Sequence, residues 1–408
     1  MTRSASPSAP PPALSCPGFR FAGIRAGIKS KDGLDLGLIA CDAEDGASAA
    51  AVFTRNRVAA APVLLSRQVI RAGRKVRGVV VNSGNANACT GPTGLADARA
   101  MQAAAARALG VRPGEILVAS TGVIGKPLPM PEVGAGITLA AADLSPTGFG
   151  RFAEAIMTTD RRPKTARREV TLGGRTATLL GTTKGAGMIA PNMATTLTFV
   201  TADVALPTPT LRRAVALAVA PTFNALAVDG DTSTNDTLAV LCAPAEPRTR
   251  MLGVRDARAF TAALTDLLGD LARQLMTDGE GVHHVVTVEV TGAPSAAAAH
   301  KVAHRIATSP LVKTAIAGGD PNWGRVLCAV GNAGVAVRPE RLALWLDAVE
   351  VARAGRAAPG FDEAAAAAVM AQPSYRLRVD LGLGRASTRF LACDLSHRYV
   401  EINADYRT

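Results

Sequence analysis

The sequence lacks the residue patterns that mark several protein classes. It has no C-x-x-C pair, its five histidines follow no zinc-like spacing, and no apolar run approaches the roughly 20 residues that a membrane helix needs. These absences predict a reduced protein with no bound metal and no membrane segment. The six cysteines lie at positions 16, 41, 89, 242, 328 and 393.

Aromatic residues are also scarce, at 4% of the chain, although the formal net charge is +12. A nucleic-acid-binding protein needs concentrated basic charge and aromatic rings on which bases stack. Here the basic residues are scattered, with the densest run at 160–168. The pattern favours a basic solvated surface over a nucleic-acid site, and steep salt dependence of binding would mark the alternative.

The first residues, MTRSASPSAPPPALS, lack the apolar core of a signal peptide. We expect residues 1–17 to form a disordered tail of a cytoplasmic protein. After this tail, helical and strand patterns alternate, which is typical of an α/β fold. The patterns predict strands at 76–81, 115–119 and 283–290 and helices at 96–109, 260–275 and 362–368. They also predict a hairpin that turns at Gly382 and Gly384, and a strand at 401–406.

Four loops are rich in small polar residues: 82–91, 120–125, 228–237 and 319–325. Each has the composition of an ordinary turn closed by Asn, Asp and Ser side chains. The third resembles a calcium loop, but Thr234 and Val240 stand where an EF-hand starting at Asp229 needs glycine and glutamate. The chain has no G-x-S-x-G nucleophile elbow, and Gly185 and Gly187 follow Lys184 in the wrong order for a phosphate loop.

The segment 184–201, KGAGMIAPNMATTLTFVT, changes abruptly from small loop residues to strand formers. A threonine at a chain N-terminus can act as a nucleophile, because its own α-amine accepts the hydroxyl proton near neutral pH. Cleavage between Ala194 and Thr195 would create such a residue. The same residues are also compatible with a purely structural junction between a loop and a strand.

These residues belong to a longer series of motifs that includes VVNSGNANACTG, STGVIG, KGAGMIAPNMATTL, FNALAVDGDTSTNDT, SPLVKTAIAGGDPNWGR and EINADYRT. The series, which spans nearly the whole chain after the tail, resembles the ornithine acetyltransferase family, the bifunctional glutamate N-acetyltransferases of arginine biosynthesis. Two positions depart from the family pattern. Thr196 stands where methionine is usual, and Gly319 where glutamate is.

The resemblance implies an autoprocessed α/β enzyme of stacked sheets and helices, with an N-terminal-nucleophile-like (DmpA-like) fold. Cleavage between Ala194 and Thr195 would give an alpha chain (18–194) and a beta chain (195–408) in one interleaved unit. Two chains of each kind are expected to form a heterotetramer. The alternative is an N-terminal-nucleophile amidase or aminopeptidase, in which water resolves the acyl-enzyme.

The implied reaction moves an acetyl group from N-acetylornithine to glutamate through Thr195, without a cofactor. The sequence leaves open whether acetyl-CoA also serves as a donor. By resemblance, Thr121 and Gly122 form the oxyanion hole. The implied substrate-binding residues are Thr158, Lys184, Thr195, Glu280, Asn403 and Thr408.

Overall fold

The computed structural model of the protein describes residues 14–30, 32–190, 196–245 and 253–405. In these ranges the strands are β1 (Phe19–Ile24), β2 (Leu36–Cys41), β3 (Ser48–Phe53), β4 (Gly78–Asn85), β5 (Ile116–Val123), β6 (Lys164–Leu172), β7 (Arg175–Lys184), β8 (Leu197–Ala202), β9 (Thr237–Cys242), β10 (Val285–Ala293), β11 (Ala343–Leu346), β12 (Val349–Arg353), β13 (Arg356–Ala357), β14 (Ser374–Asp380) and β15 (Ala386–Cys393). The helices are α1 (Ala61–Arg71), α2 (Gly91–Leu109), α3 (Met130–Ala142), α4 (Phe149–Ala155), α5 (Thr208–Val219), α6 (Val254–Thr277), α7 (Ala296–Ala307), α8 (Pro310–Ala317), α9 (Trp323–Gly331), α10 (Glu363–Met370) and α11 (His397–Asp405).

The strands form three sheets. The first has the order β1-β2-β4-β5 and the second the order β3-β9-β8-β7-β6. Most neighbours are antiparallel, but β4 runs parallel to β5 and β8 runs parallel to β9. The third sheet, β13-β12-β11-β14-β10-β15, is built entirely from the last third of the chain.

The first two sheets pack face to face between two layers of helices. Successive side chains of a strand point to opposite faces, so each central strand contributes to two cores. Val79 and Val81 of β4 and Phe199 of β8 meet in the core between the sheets. Val80 instead packs under α1, α2 and α3, while Val200 packs under α5 and α6. The predicted α/β fold of stacked sheets and helices is therefore confirmed.

The third sheet has its own core, covered by α7 to α10. Each of these helices begins with a side-chain cap, from Ser295, Ser309, Asn322 and Asp362 in turn. β15 ties this unit to the rest of the chain, because the Leu391 N–H donates to the Ala225 carbonyl at 2.8 Å. Among the described residues, no helix is both long and apolar enough to span a lipid bilayer.

The helix at 260–275 is confirmed and forms part of α6. The predicted apolar face is fully buried, and Leu267 lies directly over Gly181 of β7, where a Cβ would come within 2.7 Å of the leucine side chain. The predicted strands at 76–81, 115–119 and 283–290 are also present as β4, β5 and β10, and the helices at 96–109 and 362–368 as α2 and α10.

Three expectations are wrong. Residues 14–17 do not belong to a disordered tail, because Cys16 is 1% exposed and packs in the core between the sheets, while residues 1–13 lie outside the described ranges. β14 and β15 do not form a hairpin, since β10 inserts between them and pairs with both. Residues 401–405 belong to helix α11 instead of a strand. The remaining C-terminal residues, 406–408, lie outside the described ranges.

Replacing Leu267 with alanine tests the packing of α6 on the second sheet. Loss of a buried leucine side chain that is 0% exposed leaves a cavity, so Leu267→Ala should lower the free energy of unfolding by about 2–5 kcal/mol. Leu217 on α5 is 55% exposed and provides the control, with an expected change within about 0.5 kcal/mol. Urea unfolding monitored by circular dichroism measures both. Equal losses in the two variants would contradict this account of the core.

Candidate active site

A cleft with a volume of about 390 Å³ opens where β5 and β7 end and where α6 and α11 approach them. The structure brings six of the predicted site residues into its lining: Thr121, Gly122, Thr158, Lys184, Glu280 and Asn403. The predicted nucleophile Thr195, the other cleavage residue Ala194, and Thr408 lie outside the described residues.

The two predicted oxyanion-hole residues lie at the end of β5, beside β4. Gly122 pairs with Gly84 and has φ = +129°, a conformation that favours glycine. A Cβ at Gly122 would also lie 2.3 Å from the Gly84 carbonyl carbon. The neighbouring Thr121 is 7% exposed. Close approach of the two strands therefore requires glycine at 122 and holds Thr121 at the cleft.

Lys184 is linked directly to Thr121. Its Nζ donates a hydrogen bond to Thr121 Oγ1 at 2.9 Å, although the two residues are on different sheets. An ammonium group can only donate, so the threonine oxygen accepts and its own O–H remains free to donate elsewhere. Burial lowers the pKa of Lys184. The positive charge of Lys164 also lowers this pKa, whereas nearby carboxylates raise it. The pair can thus present a polarised hydroxyl to a negatively charged oxygen.

Glu280 and Asn403 line the opposite part of the cleft. Asn403 Nδ2 donates to Glu280 Oε2 at 3.0 Å, and the Glu280 N–H donates to the Ala186 carbonyl at 2.8 Å. The carboxylate lies over Gly187, where a Cβ would come within 2.2 Å of Oε2. A side chain at 187 would therefore displace Glu280. The result is a carboxylate that faces the cleft and suits a positively charged ligand group.

The loop at 228–237 forms the cleft wall through structural hydrogen bonds. Asp229 accepts the N–H groups of Met188 and Ile189 at 2.6 and 2.9 Å, and the Tyr399 hydroxyl donates to the same carboxylate at 3.2 Å. Burial raises the pKa of Asp229. Asn235 reaches across to the first sheet, donating to the Ser120 carbonyl at 2.8 Å. The alternating polar residues of this loop thus join the cleft wall to β5 and α11.

Asp236 binds the backbone of Thr196, the first described residue after the predicted cleavage site. Its Oδ1 accepts the Thr196 N–H at 3.0 Å, and the Thr196 carbonyl accepts the Thr237 N–H at 3.0 Å. Its Oδ2 is buried and has no hydrogen-bond partner within the described part of the chain. Burial raises the pKa of Asp236 well above its usual range, against the Thr196 hydrogen bond and the charge of Lys184.

The two departures from the family pattern occupy different places. Thr196 is 2% exposed, and both its backbone N–H and its carbonyl form hydrogen bonds just before β8. Gly319 is not among the cleft-lining residues and adopts φ = +64° just after α8. Glycine suits that left-handed conformation, and open space surrounds the position.

Sequence reasoning missed Asp229, Asp236 and Tyr399 as individual site residues. The motif FNALAVDGDTSTNDT contains both aspartates, which was the available signal. No sequence pattern marks Tyr399 as a site residue, because it reaches the cleft only through α11, a helix that was not predicted.

Sequence comparisons with known proteins match nearly the whole chain. The family model of the ArgJ family matches residues 20–408. The arginine biosynthesis bifunctional protein ArgJ of Rhizobium meliloti is 45% identical over 416 aligned positions, with 100% of both chains covered. The protein of the same name from Symbiobacterium thermophilum is 46% identical, covering 96% of this chain and 97% of its own. The crystal structure of arginine biosynthesis bifunctional protein argJ from Bacillus halodurans is 41% identical and has a TM-score of 0.41, covering 45% of this chain and 94% of that chain.

Replacing Asp236 with asparagine tests the buried carboxyl group. With a raised pKa in the folded protein, Asp236 binds a proton that the unfolded chain releases above about pH 3.9, so it lowers stability as pH rises from there through the folded pKa. Asparagine does not titrate and still accepts the Thr196 N–H. We therefore expect Asp236→Asn to melt at a higher temperature than the unmodified protein at pH 7.5, with a smaller difference at pH 4.5.

Differential scanning calorimetry at the two pH values measures this effect. Asp266 is exposed on α6 and serves as the matched control, since Asp266→Asn should leave the melting temperature unchanged at both. A stability difference for Asp236→Asn that is equal at pH 4.5 and 7.5 would show that titration of this carboxyl is not its cause.

Proposed function

This chain belongs to the ArgJ family, and on that premise we propose that it is a self-cleaving cytoplasmic acetyltransferase that moves an acetyl group from N-acetylornithine to glutamate. Membership confirms the family predicted from the motifs. The observation that carries the proposal is the Lys184–Thr121 hydrogen bond at the cleft, which leaves the Thr121 O–H free to donate. Acyl transfer needs such a donor for the oxyanion of its tetrahedral intermediate.

The proposed cycle begins with maturation. The Thr195 hydroxyl attacks the Ala194 carbonyl carbon, the peptide becomes an ester, and water hydrolyses the ester. The new α-amine of Thr195 then accepts the proton of its own hydroxyl as this attacks the acetyl carbonyl of N-acetylornithine. Ornithine leaves with that proton on its amine, and an acetyl-enzyme remains. The α-amine of glutamate attacks the acetyl-enzyme, giving N-acetylglutamate and free Thr195.

The charges of the cleft fit the proposed substrates. N-acetylornithine carries a side-chain ammonium and a carboxylate. We assign the ammonium to Glu280, whose carboxylate is held against Gly187 and Asn403. Thr158 and the backbone N–H of Gly122 supply neutral polar groups nearby. Thr408 completes the set by family resemblance alone. The cut at 194/195 gives an alpha chain that ends at 194 and a beta chain of residues 195–408, which are proposed to assemble as two of each.

The decisive assay follows labelled acetyl from N-acetylornithine. If the proposal is right, the label appears in N-acetylglutamate only when glutamate is present. If water resolves the acyl-enzyme, free acetate forms at the same rate with or without glutamate, and the protein is an amidase. A parallel assay with labelled acetyl-CoA determines whether the enzyme also uses that donor.

Thr195→Ala tests self-cleavage. The variant should remain one uncut chain without transferase activity, because it lacks both the attacking hydroxyl and the later N-terminal threonine. An SDS gel with intact mass determines the fragments, which in the unmodified protein should end and begin at 194 and 195. Thr195→Ser keeps a hydroxyl and should still cleave, with reduced turnover. Two fragments from Thr195→Ala would disprove an attack by Thr195.

Thr121→Ala tests the oxyanion donor. Loss of a donor aimed at developing charge should lower kcat by about 10²- to 10³-fold with a smaller effect on KM. It should also slow maturation, because the same donor serves the cleavage intermediate. Thr121→Ser, which keeps the hydroxyl, is the matched control and should retain most activity. Steady-state kinetics with a gel for processing measures both, and normal kcat and processing in Thr121→Ala would limit Thr121 to a structural role.

A further inference from the structure

Lys164 is a buried charge that the proposed reaction does not use. It is the first residue of β6, and its side chain is 0% exposed. The Nζ atom lies 2.5 Å from Asp160 Oδ1 and 2.6 Å from Asp278 Oδ2, and these two carboxylates are 0% and 2% exposed. The guanidinium of Arg161, which is 67% exposed, reaches Asp278 from the surface at 3.3 Å.

Stability alone does not account for this cluster. Taking a charge out of water costs several kcal/mol, and buried ion pairs can often be replaced by apolar residues without loss of stability. Lys164 is also not part of the cleft lining. Its effect on the site must pass through the groups it binds.

Asp160 binds two segments that carry cleft residues. Its Oδ2 accepts the backbone N–H of Thr158 at 3.0 Å, and its Oδ1 accepts that of Gly185 at 2.7 Å. Gly185 directly follows Lys184, so Asp160 fixes the backbone on which Lys184 stands. Burial opposes ionisation of Asp160, but the charges of Lys164 and Lys184 and the Gly185 hydrogen bond together lower its pKa.

Asp278 extends the cluster to the third cleft segment. It follows the end of α6, two positions before Glu280, and its Oδ2 accepts the Arg161 N–H at 3.0 Å. Lys164 therefore joins the turn that carries Glu280 to the segment that carries Thr158. One ammonium group thus links the three stretches of backbone that carry Thr158, Lys184 and Glu280.

We propose, resting on the acetyltransferase function above, that Lys164 is a positioning residue for the transfer site. It pins Asp160 and Asp278 together so that Thr158, Lys184 and Glu280 line one cleft. It also forms an ion pair with the Asp160 carboxylate, so that the Lys184 ammonium donates to Thr121 and not to Asp160. Within the described residues, Thr121 Oγ1 is the hydrogen-bond acceptor of Lys184 Nζ, and no carboxylate forms an ion pair with it.

Removing Lys164 should change both the alignment and the charge of Lys184. The charged groups that act on Lys184 are Asp160 and Asp236, Glu280 from the α6 side, and Lys164 itself. Burial still lowers the pKa of Lys184 when Lys164 is removed, but the repulsion by the Lys164 charge is lost, so the pKa of Lys184 rises. Asp160 also becomes available to draw Lys184 away from Thr121.

The first experiment compares Lys164→Met with the unmodified enzyme. Misalignment of the oxyanion donor should lower kcat on the order of 100-fold, and the alkaline limb of the kcat profile should move to higher pH. Arg162→Ala, an exposed residue of the same segment, is the matched control and should change kcat and KM less than twofold. Normal kcat and an unmoved alkaline limb in correctly folded Lys164→Met would overturn the proposal.

A second variant covers the case in which Lys164→Met does not fold. Asp278→Asn keeps the Lys164–Asp160 pair but weakens the contacts with Lys164 and Arg161 that hold the turn carrying Glu280. It should raise KM for N-acetylornithine tenfold or more while kcat changes less than threefold. Equal changes in both constants, or a lowered melting temperature with unchanged kinetics, would reduce the cluster to a purely structural role. If the unmodified protein transfers no acetyl group to glutamate, the proposed function fails, whatever these variants do.

Discussion

Face-to-face packing of the first two sheets is the constraint on which the site depends. Phe199 of β8 and Val79 and Val81 of β4 point into the shared core, where the rings of Phe152 and Phe199 are in contact at 5.7 Å between centroids. This packing fixes the end of β5 relative to the end of β7. The Lys184–Thr121 hydrogen bond joins those two ends, so its geometry is set by the core beneath it. A shift of one sheet over the other would break this hydrogen bond.

Several charged residues lie buried in and behind the cleft. Lys184, Asp160, Asp236 and Lys164 are all below 10% exposed. In such surroundings each charge acts strongly on its neighbours, and the pKa values move apart. Asp160 is held ionised by two ammonium groups, whereas burial favours the protonated form of Asp236. The pKa values of these two carboxyl groups shift in opposite directions because Lys164 and Lys184 together outweigh burial at Asp160, whereas burial outweighs the charge of Lys184 at Asp236.

Prediction from the sequence succeeded where the residues match a known motif or follow a regular hydrophobic period. Six predicted site residues line the cleft, and the helical face from Phe260 to Leu275 is buried as its spacing indicates. The charge cluster could not be found in this way, because Arg161 and Asp278 are 117 positions apart and no local pattern connects them. The hairpin prediction failed for the same reason. Alternation marks β14 and β15 as strands, but nothing local shows that β10 separates them.

The order of strands in the second sheet bears on how a cleaved enzyme would hold together. A cut at 194/195 leaves β3, β6 and β7 on one chain and β8 and β9 on the other. The strand order is β3-β9-β8-β7-β6, so β9 and β8 of the second chain would lie between strands of the first. The two chains would therefore meet along two strand pairs, β3 with β9 and β7 with β8. β7 pairs with β8 over six residue pairs, and β3 with β9 over six more. Separation would break both ladders and expose the cores on each face of the sheet. The two ladders would thus hold the cleaved chains together without the covalent link between β7 and β8.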